Sequence, residues 1–104
     1  MLTVCIPVYN QNVERLVKEL SAQVKLLHGK VSILLIDDAS SEEFQAQYSN
    51  LRAFAKVVQL DVNIGRSKIR NAFLEYTSAE YLLFLDCDAQ IVRSDFLSKY
   101  LEFI

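Results

Sequence analysis

Short apolar runs alternate along this sequence with segments of helical periodicity, and this alternation restricts the possible folds more than any other feature. Four runs have the length and composition of buried strands, at residues 2–8, 31–36, 56–60 and 81–85. Each is followed by residues in which apolar side chains recur at the three- and four-residue spacing of a helix. Strands that alternate with helices predict a parallel sheet with right-handed crossovers. The expected fold is therefore α/β, a Rossmann-like three-layer α/β/α arrangement with a mainly parallel four-stranded sheet.

Local signals place two of the helix ends. Gly29 follows the first apolar helical pattern and has the position of a C-terminal stop. Ser40 and Glu43 have the spacing of a capping box, in which the serine side chain would begin the second helix.

The last predicted helix has a start signal but no stop signal. Ser94 or Asp95 could cap it. Its apolar stripe runs to the last residue of the sequence and consists of Phe96, Leu97, Tyr100, Leu101 and Ile104. We therefore expect residues 1–104 to be one domain truncated at the C-terminus, half of a larger unit.

Composition narrows the function. The net charge of −2 and the absence of a basic stripe argue against nucleic-acid binding. An anionic ligand would need a cation or a few placed arginines. Cys5 and Cys87 lie in apolar runs and are expected to be reduced, which with the absence of a signal peptide predicts a cytoplasmic protein. The single histidine, His28, is expected to be a solvated helix-terminal residue.

Carboxylates directly follow the fourth apolar run. Asp86 and Asp88 are one residue apart, so extended geometry would place them on the same face. Two carboxylates suit Mg²⁺ or Mn²⁺, which is completed by waters and phosphate oxygens. Taken alone, an Asp-x-Asp sequence more often marks a polar strand end that opens into a loop.

Polar residues also follow the other strands, and the carboxyl ends of parallel strands share one edge, where α/β sheets bind ligands. The residues expected at this edge are Pro7, Tyr9, Asn10, Asp37, Asp38, the turn at 63–65, Asp86 and Asp88. Arg66 and Arg70 lie one turn apart near the start of the third helix, where an anion is favoured. Each residue alone is equally explained as a solvated loop or helix position.

Four motifs occur in a familiar order. They are Pro-Val-Tyr-Asn at 7–10, Ile-Asp-Asp-Ala-Ser at 36–40, Asn-Ile-Gly-Arg-Ser-Lys-Ile-Arg-Asn at 63–71 and Leu-Asp-Cys-Asp at 85–88. Together they resemble the nucleotide-binding half of a family 2 glycosyltransferase with the GT-A fold, over nearly the whole chain.

The resemblance implies a nucleobase site. Tyr9 would pack on the face of the base, and Pro7 would lie beside it. Asp38, with Asp37 as the second choice, would accept a hydrogen bond from the base, typically uracil. Asn63 would contact the base as well.

The resemblance also implies a diphosphate and metal site. Arg70 would meet the base or the diphosphate. Asp86 would reach the ribose or the water shell of the metal, and Asp88 would ligate Mn²⁺ or Mg²⁺. The family often has another aspartate after this position, where this sequence has Ala89.

The implied activity is transfer of a sugar from a nucleoside diphosphate, most typically UDP, to a hydroxyl of a saccharide or lipid-linked acceptor, usually with inversion. The family carries its catalytic base and acceptor wall in the second half of the domain. We therefore expect no catalytic base in this chain and no sugar transfer by it alone. Surface uncovered by the missing half would favour self-association.

Three alternatives remain open at this point. A haloacid-dehalogenase-type phosphohydrolase also has Asp-x-Asp at a strand end, but usually on its first strand. A receiver-like metal-binding signalling domain has paired acids, but after its first strand rather than its second. A sugar-phosphate nucleotidyltransferase needs a glycine-rich loop after the first strand, whereas residues 7–11 contain no glycine.

Overall fold

A computed structural model describes residues 1–90 and 93–102, in which a four-stranded sheet lies between helices. The strands are β1 (Leu2–Val8), β2 (Val31–Asp37), β3 (Lys56–Gln59) and β4 (Tyr81–Phe84). The helices are α1 (Glu14–Val24), α2 (Glu42–Ser49), α3 (Arg66–Tyr76) and α4 (Phe96–Glu102). All strand pairs are parallel, in the order β3-β2-β1-β4. The expected α/β fold is confirmed.

The sheet buries a different apolar cluster on each face, because successive strand residues point to opposite sides. One cluster joins Val4, Ile6 and Val8 of β1 to residues of α1, α2 and α4. The other joins Cys5 to Ile69 and Phe73 of α3. Helices therefore cover both faces, and the three-layer arrangement follows.

The strand order creates a change of direction beside β1. From β1 the chain moves outward to β2 and β3, and it then returns to place β4 on the other side of β1. The pairing of β1 with β4 extends past the last ladder residue, since the Leu85 N–H donates to the Cys5 carbonyl at 3.0 Å. In open α/β sheets the crevice at such a switch point is where ligands bind.

The fourth strand differs from the expectation. It was expected to be buried on both faces, but β4 is an edge strand of the described sheet and its residues are only partly buried, with Tyr81 44% exposed. It ends at Phe84, and the chain then turns, with the Ala89 N–H donating to the Asp86 carbonyl at 3.0 Å. The extended geometry that would place Asp86 and Asp88 on one face therefore does not persist to these residues.

The glycine stop after the first helix is confirmed. A short 3₁₀ turn, Lys25–Leu27, follows α1, and the chain then takes left-handed backbone angles at His28 (φ 51°) and Gly29 (φ 79°). His28 is exposed at this helix end, as expected.

The prediction of a capping box at the start of the second helix was wrong. Ser41, not Ser40, is the residue before α2, and neither it nor Glu43 caps the helix through its side chain. The Ser40 hydroxyl instead accepts the Asn10 N–H at 2.9 Å. A loop distant in sequence therefore uses the hydroxyl that the helix start was expected to use.

The last helix begins where expected but is not capped by the expected carboxylate. The Asp95 carbonyl accepts the Lys99 N–H at 3.0 Å, whereas its carboxylate pairs with Arg93 at 2.9 Å. Leu97 is fully buried, and Ile104 lies outside the described residues. Among the helices of residues 1–90 and 93–102, none is long and apolar enough to cross a membrane.

Candidate functional site

Four loops meet at the carboxyl edge of the sheet, and together they form what we call the carboxyl rim: residues 9–12, 38–41, 60–65 and 85–90. Each loop follows one strand directly, because parallel strands all end at this edge. We expected polar residues from all four strands to converge at this edge for the same reason.

The first two loops of the rim are tied together by reciprocal hydrogen bonds. The Asn10 N–H donates to the Ser40 hydroxyl, and the Asn10 side-chain oxygen accepts the Ser41 N–H, both at 2.9 Å. Asn10 has a positive φ of 50°, which asparagine tolerates better than most residues. Tyr9, just before it, is left 51% exposed on the rim, while Pro7 is partly buried.

Tyr48 on α2 forms hydrogen bonds to the backbone of the first loop of the rim. Its side chain is fully buried, and its hydroxyl both donates to the Gln11 carbonyl at 2.7 Å and accepts the Gln11 N–H at 3.0 Å. Burial is the main cause that raises the pKa of this phenol, so the hydroxyl keeps its proton for the bond it donates. The sequence pattern indicates only that Tyr48 lies on an apolar helix face, because nothing local indicates a partner 37 residues away.

Asp37 and Asp38 are adjacent but occupy different environments. Asp37 is fully buried; one of its oxygens accepts the Ser40 N–H at 3.0 Å, and the other has no hydrogen-bond partner within the described part of the chain. A ligand on the rim therefore has no access to the Asp37 carboxylate in this conformation.

Asp38 holds the third loop of the rim. It is 6% exposed, and its two carboxylate oxygens accept the backbone N–H groups of Ile64 at 2.7 Å and Gly65 at 3.0 Å. The Asn63 side-chain amide donates to the Asp38 carbonyl at 3.0 Å. Gly65 has a φ of 84°, a conformation that favours glycine. The Asp38 carboxylate is thus first a structural acceptor, although each of its oxygens keeps a second lone pair.

Asp86 and Asp88 lie in the turn after β4, and both are exposed. Cys87 between them is half-buried and packs against the core cluster under α1 and α4. The thiol donates to the side-chain oxygen of Gln11. Burial first, and then the Asp88 charge, raises the pKa of Cys87, so this residue lacks the thiolate character of a catalytic cysteine.

The donor set of this turn fits a hard divalent cation. Within the described residues no group of three or more histidine, cysteine or acidic side chains could hold a metal ion by itself. Two exposed carboxylates nevertheless match Mg²⁺, which proteins in general bind by one or two carboxylates plus substrate phosphates.

Arginines flank the turn from the start of α3. The Arg70 guanidinium lies 4.7 Å from the ring centre of Phe84, the last residue of β4. Arg66 is close enough that its charge opposes the rise in the Cys87 pKa. Both side chains are exposed. Cations at a helix N-terminus oppose the helix dipole, so Arg66, the first residue of α3, does not stabilise the helix through its charge.

The structure therefore brings most of the expected residues to the carboxyl rim, namely Tyr9, Asp38, Asn63, Asp86 and Asp88, and it places Arg70 beside the rim on α3. Pro7 lies just before the rim, as the penultimate residue of β1, and the Asp37 side chain is buried below the rim. A concavity of about 390 Å³ lies apart from these acids, against α3 and the loop before it.

Comparison with known proteins gives one family. The sequence profile described as Glycosyl transferase family 2 matches residues 3–104. Among curated protein sequences, none matches this chain.

Solved structures show the same fold. S. aureus TarS 1-349 superposes with a TM-score of 0.78 at 26% identity, covering 99% of this chain and 32% of that chain. The complex of TarS 1-349 with UDP-GlcNAc also gives 0.78, at 25% identity, over 99% of this chain and 30% of that one. The mannosyltransferase PcManGT from Pyrobaculum calidifontis, solved with GDP-Man and Mn²⁺, gives 0.67 at 18% identity, over 97% and 31%. The chain thus spans about a third of each of these three chains.

Proposed function

Because the chain belongs to glycosyl transferase family 2, we propose that its carboxyl rim binds a nucleoside-diphosphate sugar, specifically a UDP-sugar, together with Mn²⁺ or Mg²⁺. In this proposal, residues 1–104 are the nucleotide-sugar-binding half of a GT-A domain. The family and the fold expected from the four motifs are both confirmed. Family membership also removes the phosphohydrolase, receiver and nucleotidyltransferase alternatives.

One observation carries the proposal: the loop with Tyr9 and the turn with Asp86 and Asp88 lie on the two sides of the switch point between β1 and β4. The contact between Gln11 and Cys87 joins them across it. A nucleoside-diphosphate sugar has an aromatic base at one end and, beyond the ribose, a diphosphate with two negative charges. The exposed aromatic residue on one side suits the base, and the pair of carboxylates on the other suits the diphosphate through a divalent cation bound between them.

On the base side, Tyr9 offers an exposed ring for stacking, which suits any base and is favourable when the ring is held in place. Asn63 donates through its amide nitrogen to Asp38, so its side-chain oxygen remains for an N–H of the base. Asp38 accepts a base N–H through a remaining lone pair. Asp37 takes no part in contact, because it is fully buried.

On the diphosphate side, Asp88 is the proposed metal ligand, and Asp86 contacts the ribose or the waters of the metal. A bound divalent ion neutralises the charge that develops on the departing diphosphate. Arg70 is exposed beside the turn and binds phosphate oxygens or the base. That TarS was solved with UDP-GlcNAc supports a UDP-sugar as the donor.

We propose that the donor sugar passes to a hydroxyl of a saccharide or lipid-linked acceptor with inversion. We assign no catalytic base within residues 1–104. Deprotonation of the acceptor hydroxyl needs a base in reach of the anomeric carbon. We therefore expect this chain to bind the donor without transferring the sugar.

Calorimetric titration of the chain with UDP, with and without Mn²⁺, tests the donor site. We expect Mn²⁺ to strengthen UDP binding and Asp88→Asn to remove that gain. Glu80→Gln is the matched control, because it makes the same change of charge at an exposed position just before β4. Its binding should equal that of the wild type.

Four results would count against the proposal. The metal site would be refuted if Mn²⁺ left the affinity for UDP unchanged. It would also be refuted if Asp88→Asn kept the full gain in affinity that Mn²⁺ gives the wild type. A folded chain that does not bind UDP at millimolar concentration would remove the donor site. Sugar transfer by the 104 residues alone would refute the assignment of the base.

A further inference from the structure

We infer that Gln11 and Tyr48 are positioning residues that fix the distance between the loop with Tyr9 and the turn with Asp86 and Asp88. This inference rests on the proposed function, because it concerns how the two ends of one donor molecule would be held. Neither residue is proposed to touch the donor.

The first step is the fixing of the loop by Tyr48. Its hydroxyl bonds both the carbonyl and the N–H of Gln11, at 2.7 and 3.0 Å, from a fully buried position on α2. Two hydrogen bonds to the backbone of one residue restrict both its translation and its rotation. Tyr9 lies two residues before this point, so the exposed ring is carried by a restrained segment.

The second step is the bond that crosses the switch point. The Gln11 side-chain oxygen accepts the Cys87 thiol, although the two residues are 76 positions apart. Cys87 is half-buried and lies between the two exposed carboxylates. Its partial burial in the core cluster anchors the middle of the turn, and Gln11 ties that anchor to the first loop.

The consequence is a continuous link from α2 through Tyr48, Gln11 and Cys87 to the candidate metal turn. A misplacement of about 1 Å costs a preorganised site much of its effect. β4 is an edge strand that ends at Phe84, so the turn is held by few ladder bonds of its own. The side chain of Gln11 therefore supplies a restraint that the sheet does not supply.

The first experiment compares Gln11→Ala with Gln47→Ala, an exposed glutamine on α2, in the calorimetric titration with UDP. Gln11→Ala removes only the bond to Cys87, because the bonds to Tyr48 use backbone atoms. Loss of one such bond should weaken UDP binding in the presence of Mn²⁺ by about two- to tenfold. Binding without Mn²⁺ should stay at the wild-type value, and the urea midpoint of unfolding is measured in parallel so that only folded samples are compared.

The second experiment asks whether the two residues act through each other. Cys87→Ala should weaken metal-dependent binding as Gln11→Ala does, and the double variant should be no weaker than either single variant. Additive losses would show that each residue acts separately, which overturns the link. The rate of Cys87 alkylation by a neutral maleimide gives a readout without ligand, and it should rise in Gln11→Ala because the amide no longer covers the sulfur.

The third experiment concerns Tyr48→Phe, which keeps the buried ring and removes the hydroxyl. It should weaken UDP binding with and without Mn²⁺, because the Tyr9 loop is released. Tyr81→Phe is the control, since Tyr81 is exposed at the start of β4. The unfolding midpoint is measured in parallel, so that weaker binding is compared only among folded samples.

The outcomes separate the two proposals. Normal metal-dependent binding by the wild type with no loss in Gln11→Ala would overturn this inference alone. Equal alkylation rates in the wild type and Gln11→Ala would also overturn it, because the contact would be absent in solution. No UDP binding by the folded wild type would overturn the proposed function and this inference with it.

Discussion

Replacement of Asp38 should destabilise the protein before any ligand is considered. Its carboxylate accepts two backbone N–H groups, those of Ile64 at 2.7 Å and Gly65 at 3.0 Å, at a position that is only 6% exposed. Hydrogen bonds to a charged group contribute roughly 1.5–3 kcal/mol each. In Asp38→Asn, an NH₂ group replaces one oxygen and faces a backbone donor, so we expect a loss of about 2 kcal/mol in the free energy of unfolding.

Asp38→Ala removes both bonds, but its cost should be less than twice that of Asp38→Asn. Ile64 and Gly65 are partly exposed, so water can reach the released N–H groups. We expect a loss of about 3 kcal/mol, which is a large part of the 5–15 kcal/mol that is typical of a domain. The loop at 60–65 should become mobile in both variants, with faster amide hydrogen exchange at Ile64 and Gly65.

Urea denaturation followed by circular dichroism measures these changes. Asp61→Asn is the matched control, because Asp61 is an exposed aspartate of the same loop. Surface substitutions of this kind usually change the free energy of unfolding by less than about 0.5 kcal/mol. If Asp38→Asn and Asp61→Asn unfold at the same urea concentration, then Asp38 does not hold the loop, and the division of roles between Asp37 and Asp38 loses its basis.

Two further predictions concern backbone strain and pH. Ala39 has a φ of 59°, which costs a non-glycine residue roughly 1–2 kcal/mol. In urea denaturation, Ala39→Gly should therefore raise the free energy of unfolding by about 0.5 kcal/mol, whereas the control Ala46→Gly in α2 should lower it. Equal losses in the two variants would show that Ala39 is unstrained. Burial raises the pKa of Cys5 to about 11, so its contribution to stability is complete below the unfolded-state pKa near 8.5 and is lost as the pH rises towards 11, by at most roughly 1.4 kcal/mol per pH unit. Cys5→Ala should flatten that part of the profile, and parallel profiles in the two proteins would contradict this assignment.

The sequence was sufficient for the order and type of the elements. Apolar runs of strand length and helical spacing placed all four described strands and the helices between them to within a few residues. Those patterns record hydrophobicity, which is a local property of each residue. The convergence of acids on one edge also followed, because every parallel strand ends at the same edge.

The finer local signals were less reliable, because distant partners compete for the same atoms. Ser40 has the spacing of a helix cap, yet its hydroxyl bonds Asn10 of another loop. Asp86 and Asp88 would share a face if the strand continued through them, yet β4 ends at Phe84. A strand keeps its geometry only as far as a neighbour pairs with it, and the sequence does not state where pairing stops.

Only the tertiary structure decided which residues support the candidate site. The return of β4 to the free side of β1 sets the switch point, and no local pattern specifies which strand becomes its neighbour. The same return brings Gln11 to Cys87 across 76 residues, while the packing of α2 brings Tyr48 to Gln11 across 37. The sequence by itself determined the elements and the chemistry at their ends, because these depend on the local hydrophobic pattern and residue type. Contacts between the loops depend on how the elements pack, so they exist only in the folded chain.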